Sequence, residues 1–255
     1  MDAFYERDGD AFVPSELTRG PWDPGSQHAG PPSALLGRAI ASEGTLVGRI
    51  TIEVLRPVPL APVRVSADVI RPGRNVELVE AVMSEAGAGE RPIARALAWR
   101  LRIDDGVAAL PDDPPPPGPD AGGERPFFPT GQSVGYHTAM DYRFLAGAFT
   151  EPGPARVWMR MRQPLVTREP ISPLERVLVA ADSGNGVSAA LDYRRHLFIN
   201  TELTVHLVRE PAGEWVLLDA ITRVGPHGVG LSETVLYDEA GRLGRAAQTL
   251  LVRRR

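Results

Sequence analysis

A turn of small residues, His28-Ala29-Gly30-Pro31-Pro32, opens the apolar stretch PPSALLGRAIAS at 31–42. A helix starting there presents unpaired N–H groups, which can polarise a carbonyl or hold an anion. Glycine allows close backbone approach, and proline costs no hydrogen bond in a first turn. Far along the chain, Gln248 sits in the run Ala246-Ala247-Gln248-Thr249-Leu250. A polar amide buried in such company needs partners, which favours a functional role over chance. The five histidines are scattered without metal-ligand spacing, so no metal is expected.

Two absences narrow the chemistry. The 255 residues include no Cys, which excludes disulfides, thiolate metal sites and a Cys nucleophile. All 28 basic residues are Arg, which excludes Schiff-base enzymes, P-loop nucleotidases and protein kinases. A net charge of −4 argues against a nucleic-acid partner. The charged N-terminus is no signal peptide, and no stretch approaches the ~20 apolar residues of a membrane span. A cytoplasmic protein is expected. Ser183 lacks the Gly-x-Ser-x-Gly frame of a hydrolase elbow.

The elements that must position these groups fall into two similar halves. The segment DDPPPPGPDAGG at 112–123 cannot form a packed core and reads as a stiff connector. The units expected are 1–110, a linker at 111–126, and 127–255. In the first, the helix at 31–42 precedes strand-like runs at 49–56, 63–71, 76–84 and 93–103. In the second, a helix from about Pro173 precedes runs at 202–209, 215–223, 229–237 and 243–253. Alternation is clear in Ile50, Ile52 and Val54 and again in Leu203, Val205 and Leu207. Arg56 and Arg209, Gly73 and Gly225, and Arg95 and Arg245 lie 153, 152 and 150 positions apart, which points to duplication. Ser172, Pro173 and Glu175 spell a capping box. Asp182-Ser183-Gly184-Asn185-Gly186 reads as the turn ending that helix, with Asp182 or Asn185 the residues that could face a site. Arg253-Arg254-Arg255 reads as a solvated tail.

One helix followed by an antiparallel sheet, twice over, resembles the double hotdog fold, an α+β architecture. His28-Ala29-Gly30, Leu55-Arg56-Pro57 and Ile70-Arg71-Pro72-Gly73-Arg74, then His206 to Pro211, Trp215 and Gly230, are similar to motifs of the type II medium- and long-chain acyl-CoA thioesterases. The resemblance covers both halves but neither the linker nor 127–163. It implies hydrolysis of acyl-CoA to free acid and CoA, with no cofactor and with further assembly into a homo-oligomer. It also implies a water held by an Asp, a Thr or Ser, and a Gln of the second unit. Gln248 matches the Gln. The Asp position, seven residues before Arg209, falls on Glu202, and the hydroxyl position falls between Thr222 and Arg223, with Thr222 preferred. By phase alone Glu202 lies opposite Leu203, Val205 and Leu207, on the solvent face.

The remaining assignments concern binding and the rival readings. His28, Ala29 and Gly30 are candidates to meet the thioester carbonyl. Arg71, Arg74 and Arg223 are candidates for the CoA phosphates, because a guanidinium matches phosphate geometry. Asp23 and His28 resemble, at a distance, the Asp/His pair of hotdog enoyl-CoA hydratases, although Pro24-Gly25-Ser26-Gln27 stands between them. A hydratase, or a protein that binds an acyl thioester or lipid without turnover, is the alternative.

Overall fold

The computed structural model describes residues 2–87, 91–110 and 114–255. In the first half, β1 (Tyr5–Asp8) and β2 (Ala11–Pro14) precede α1 (Gly30–Ile40), which is followed by β3 (Thr45–Val54), β4 (Val63–Arg71), β5 (Val76–Glu85) and β6 (Pro92–Arg102). In the second half, β7 (Met140–Ala148) and β8 (Glu151–Met161) precede α2 (Pro173–Ala181) and the single turn α3 (Gly184–Val187). Then come β9 (His196–Asn200), β10 (Glu202–Leu207), β11 (Val216–Val224), β12 (Val229–Asp238) and β13 (Gly241–Arg254).

All the strands join one antiparallel sheet, in the order β1-β2-β4-β5-β6-β3-β10-β13-β12-β11-β8-β7, with β9 beside β13. Read inward from its two ends, the sheet repeats itself strand for strand. β4 and β11 start at Val63 and Val216, and β5 and β12 at Val76 and Val229, each pair 153 positions apart. At the seam between the halves Thr51 faces Thr204, again 153 apart, with their hydroxyls 3.1 Å from each other. A pseudo-two-fold axis runs between them. Beside it Ile50 pairs with Val205 and Ile52 with Leu203, all fully buried, and each such side chain stabilises the fold by about 1.5–3 kcal/mol.

The sheet wraps α1 and α2, which pack against each other. The capping box forms as read: the Ser172 hydroxyl accepts from the Glu175 N–H at 3.2 Å, and the Glu175 carboxylate from the Ser172 N–H at 2.9 Å. At this end Arg38 of α1 donates to Glu175 at 3.0 Å and also pairs with Glu169. Burial pushes the Glu175 carboxyl up, against the downward pull of Ser172 and Arg38. At the other end a Cβ on Gly30 would lie 2.6 Å from the Val179 carbonyl, so only glycine lets α1 start so close to α2.

Five strands were not foreseen. β1 and β2 are only four residues each, too short for a periodic signal. β7 breaks its alternation with register shifts on both sides of Ala146, and β8 starts through Pro152, Gly153 and Pro154. β9 pairs with the C-terminal end of β13, Arg254 opposite His196 and Arg253 opposite Leu197, so the backbone of the arginine tail is a sheet strand while its side chains stay exposed. Of the linker, 111–113 lie outside the described residues. The rest lies against the second half, where the Pro117 carbonyl accepts from the Trp158 indole at 2.9 Å and Gly123 bridges to Phe144.

Candidate active site

The end of α2 drops Asp182 onto the inner face of β13. Gln248 stands there, buried, and its amide is fully used. Its carbonyl accepts from the Asn185 N–H at 3.1 Å, and its NH2 donates to the Asp182 backbone carbonyl at 3.1 Å and to Asp182 Oδ1 at 3.3 Å. Asn200, the last residue of β9, donates its Nδ2 to the same Oδ1 at 2.8 Å. Gly184 makes this closeness possible. A Cβ there would meet Thr234 Oγ1 at 2.7 Å and Gln248 Oε1 at 3.2 Å.

The second carboxylate oxygen of Asp182 faces the first turn of α1, 3.1 Å from His28 Nδ1. The same nitrogen lies 3.1 Å from the Gly30 N–H. A ring nitrogen carries either a proton or a lone pair, so it donates to Asp182 or accepts from Gly30, not both. Burial pushes the imidazole below its ordinary 6.5, with the Asp182 charge opposing. The ring is therefore neutral at pH 7. It stacks on Tyr136, centroids 3.7 Å apart and planes within 5°, and the Tyr136 hydroxyl is fixed by the Val179 carbonyl at 2.7 Å and Ser183 at 3.0 Å. Pro31 and Pro32 have no N–H, so Ala29 and Gly30 supply the donors of this turn.

A groove of about 390 Å³ opens over the cluster, lined by His28, Ala29, Asp182, Asn185 and Asn200, with Asp23, Arg56 and Thr201 farther along it. Among the described residues no three His, Asp or Glu side chains converge to hold a metal ion.

The geometry redistributes the site residues expected from sequence. Gln248, His28, Ala29 and Gly30 come together. Glu202 does not join them: its carboxylate accepts from the Thr249 N–H at 2.9 Å and the Thr204 hydroxyl at 3.0 Å, on the face opposite Gln248. Strand alternation put it there, as its phase indicated, and the carboxylate beside Gln248 is Asp182. Thr222 is buried on the inner face, but its hydroxyl bonds Ser188 at 2.8 Å. It is two strands from Gln248, with Ser232 paired between them. The polar partner that completes the cluster is Asn200, which sequence reasoning missed because β9 gave no signal.

None of the three arginines assigned to phosphates lines the groove. Arg71 donates to the Val76 carbonyl at 2.8 Å across the β4–β5 turn, Arg74 sits in that turn, and Arg223 pairs with Glu233 on the outer face. Arg56 is the arginine at the groove. Asp23 caps its own turn, accepting from Ser26 at 2.6 Å and Gly25 at 3.0 Å. Those bonds hold its carboxyl below the usual range, Ser26 most. The carboxylate that meets His28 is thus Asp182, not the Asp23 of the hydratase pairing.

Two family models match the chain, the acyl-CoA thioesterase N-terminal domain over residues 18–101 and the C-terminal domain over residues 107–252. The chain belongs to the acyl-CoA thioesterase family; its fold is the double hotdog, and its reaction is the hydrolysis of acyl-CoA thioesters. Solved structures agree on the fold. A candidate thioesterase II from Thermobifida fusca is 16% identical with a TM-score of 0.75, over 98% of this chain and 95% of that one. A hot-dog-fold protein from Alicyclobacillus acidocaldarius is 17% identical with a TM-score of 0.70, over 100% and 97%. An acyl-CoA thioesterase II from Mycobacterium marinum is 18% identical with a TM-score of 0.66, over 98% and 96%. No curated protein matches the chain.

Proposed function

We propose that Asp182, held by Gln248 and Asn200, activates the hydrolytic water, with the first turn of α1 receiving the thioester carbonyl. The observation that carries this is the posture of Asp182. One carboxylate oxygen is occupied by two amide donors, while the other faces the groove beside His28. In the reaction, the water oxygen bonds to the carbonyl carbon while its proton passes to Asp182 Oδ2. The oxyanion that forms faces the Ala29 and Gly30 N–H groups. As the carbon–sulfur bond breaks, the proton held on Asp182 Oδ2 passes to the departing thiolate, giving acid and CoA. Gln248 touches no substrate in this scheme; it positions Asp182 and Asn185.

The test is CoA release, followed with a thiol reagent, from a panel of acyl-CoA thioesters. The protein itself contributes no thiol. Release by the wild type, slowed in Gln248→Ala and Asn200→Ala, is the expected result. Acyl-CoA that binds but is never cleaved would defeat the scheme and leave the binding reading.

Self-association and a cytoplasmic setting belong to the same reading. Val69, Ile70, Leu101 and Ile103 are exposed apolar side chains on and beside β4 and β6, a surface that suits a second copy. Among the described residues no helix is long and apolar enough to cross a membrane. Sedimentation would report the oligomeric state.

A further inference from the structure

Arg56 and Arg209 hold the same place in the two halves, 153 positions apart, but their side chains meet different surroundings. Arg209 is tied down: its guanidinium meets Asp238, the last residue of β12, through two bonds of 2.6 Å. The counterpart of Asp238, 153 positions earlier, is Glu85, the last residue of β5. Arg56 does not pair with it. Among the described residues the Arg56 side chain has no hydrogen bond, ion pair or ring contact. It is exposed, and of the described residues that line the groove it is the only arginine. The backbone that carries it is held on both sides. The Leu55 and Arg56 N–H groups donate to the Ile93 carbonyl at 2.9 and 3.2 Å, and Pro57 fixes the next φ. Beyond that, buried Gln27 clamps the segment to the turn that opens α1. Its N–H donates to the Val58 carbonyl and its Nε2 to the Pro59 carbonyl, both at 2.7 Å, while its Oε1 accepts from the Tyr5 hydroxyl at 2.6 Å. Gln27 precedes His28, so the clamp sets the Arg56 segment in a fixed relation to the active site.

We propose that Arg56 binds a phosphate of the CoA nucleotide, so that the duplicated arginine serves structure in one half and substrate recognition in the other. The inference rests on the active-site reading above, which puts the thioester at the His28 turn. From the sulfur, the CoA arm runs through two amides and a gem-dimethyl carbon to its diphosphate. The groove offers matching chemistry. Asn200 and Thr201 are polar, Leu55 and Ile199 are apolar yet 51% and 45% exposed, and the Arg56 guanidinium is a fork suited to phosphate. Asp23 also lines the groove, but its carboxylate is engaged within its own turn by Ser26 and the Gly25 N–H.

The experiment titrates CoA, 3′-dephospho-CoA and pantetheine calorimetrically into wild type, Arg56→Ala and Arg56→Lys. In parallel it follows cleavage of one acyl group carried on each of the three thiols. The Arg56 side chain is exposed and unpaired, so both variants should melt with wild type. Arg56→Ala should weaken CoA binding by about tenfold, as expected for the loss of a charge-assisted hydrogen bond. The same factor should appear in KM for acyl-CoA rather than in kcat. Arg56→Lys, which keeps the charge but not the fork, should recover part of the loss. Pantetheine and its thioester carry no phosphate and should not register the substitution. A loss confined to CoA assigns the 3′-phosphate to Arg56, and a loss shared with 3′-dephospho-CoA assigns the diphosphate. An Ala variant that binds CoA as wild type does, or that loses as much with pantetheine as with CoA, overturns the proposal. If no thioester is cleaved, the hydrolase scheme fails, and the CoA titrations decide the role of Arg56 alone.

Discussion

Replacing Asp182 by Asn separates the proposed base from its surroundings with little disturbance. Asp182 Oδ1 accepts from Asn200 at 2.8 Å and Gln248 at 3.3 Å, and an Asn carbonyl can keep both bonds. The new NH2 takes the place of Oδ2, 3.1 Å from His28 Nδ1, where a neutral ring offers a lone pair. Every hydrogen bond of the cluster has a substitute, so the stability change should stay within about 1 kcal/mol. For a chain of this size that is a Tm change of about 2–4 °C. What disappears is the group that takes the proton from water. General-base catalysis contributes about 10²–10⁴-fold, so kcat should fall by that factor, a barrier increase of about 3–5 kcal/mol. KM should hardly move, because the role proposed for this carboxylate lies in the chemical step and not in holding CoA. The control is Glu202→Gln, on the opposite face, which should stay within about twofold of wild type. The assay is CoA release under saturating acyl-CoA, with circular dichroism melting on the same samples. Asp182→Asn with near-normal kcat, or Glu202→Gln with an equal loss, would refute the reasoning and return the carboxylate role to Glu202.

Other outcomes follow from the same cluster. Gly184→Ala should lose about 1–3 kcal/mol, because its Cβ would press on Thr234 at 2.7 Å and Gln248 at 3.2 Å; thermal melting with activity shows both effects. Stability should decline as pH falls below 6.5. The unfolded chain protonates His28 at its ordinary value while burial holds the folded ring lower, so the unfolded state binds more protons in that window. His137 and His206 are lowered too, so His28→Gln should flatten only part of the slope in denaturant titrations at stepped pH.

Much of this protein follows from its sequence alone. Local chemistry wrote the capping box of Ser172 and Glu175, and alternation in Ile50, Ile52, Leu203 and Val205 assigned inner faces before any strand was placed. The offset of 153 recurs in the register of Thr51 with Thr204, so duplication and pseudo-symmetry were both legible. So was the oddity of Gln248 among small apolar residues. The carboxylate that belongs to Gln248 was not. Period tells which face of a strand a side chain takes, but not which helix end lies over it. Glu202 and Asp182 are both at plausible distances along the chain, and only the packing of α2 across β13 brings Asp182 within 3.3 Å of an amide 66 residues away. Asn200 and the contact of His28 with Asp182 are decided in the same way. Each joins elements from separate parts of the chain, and their meeting depends on where two helices settle against one sheet.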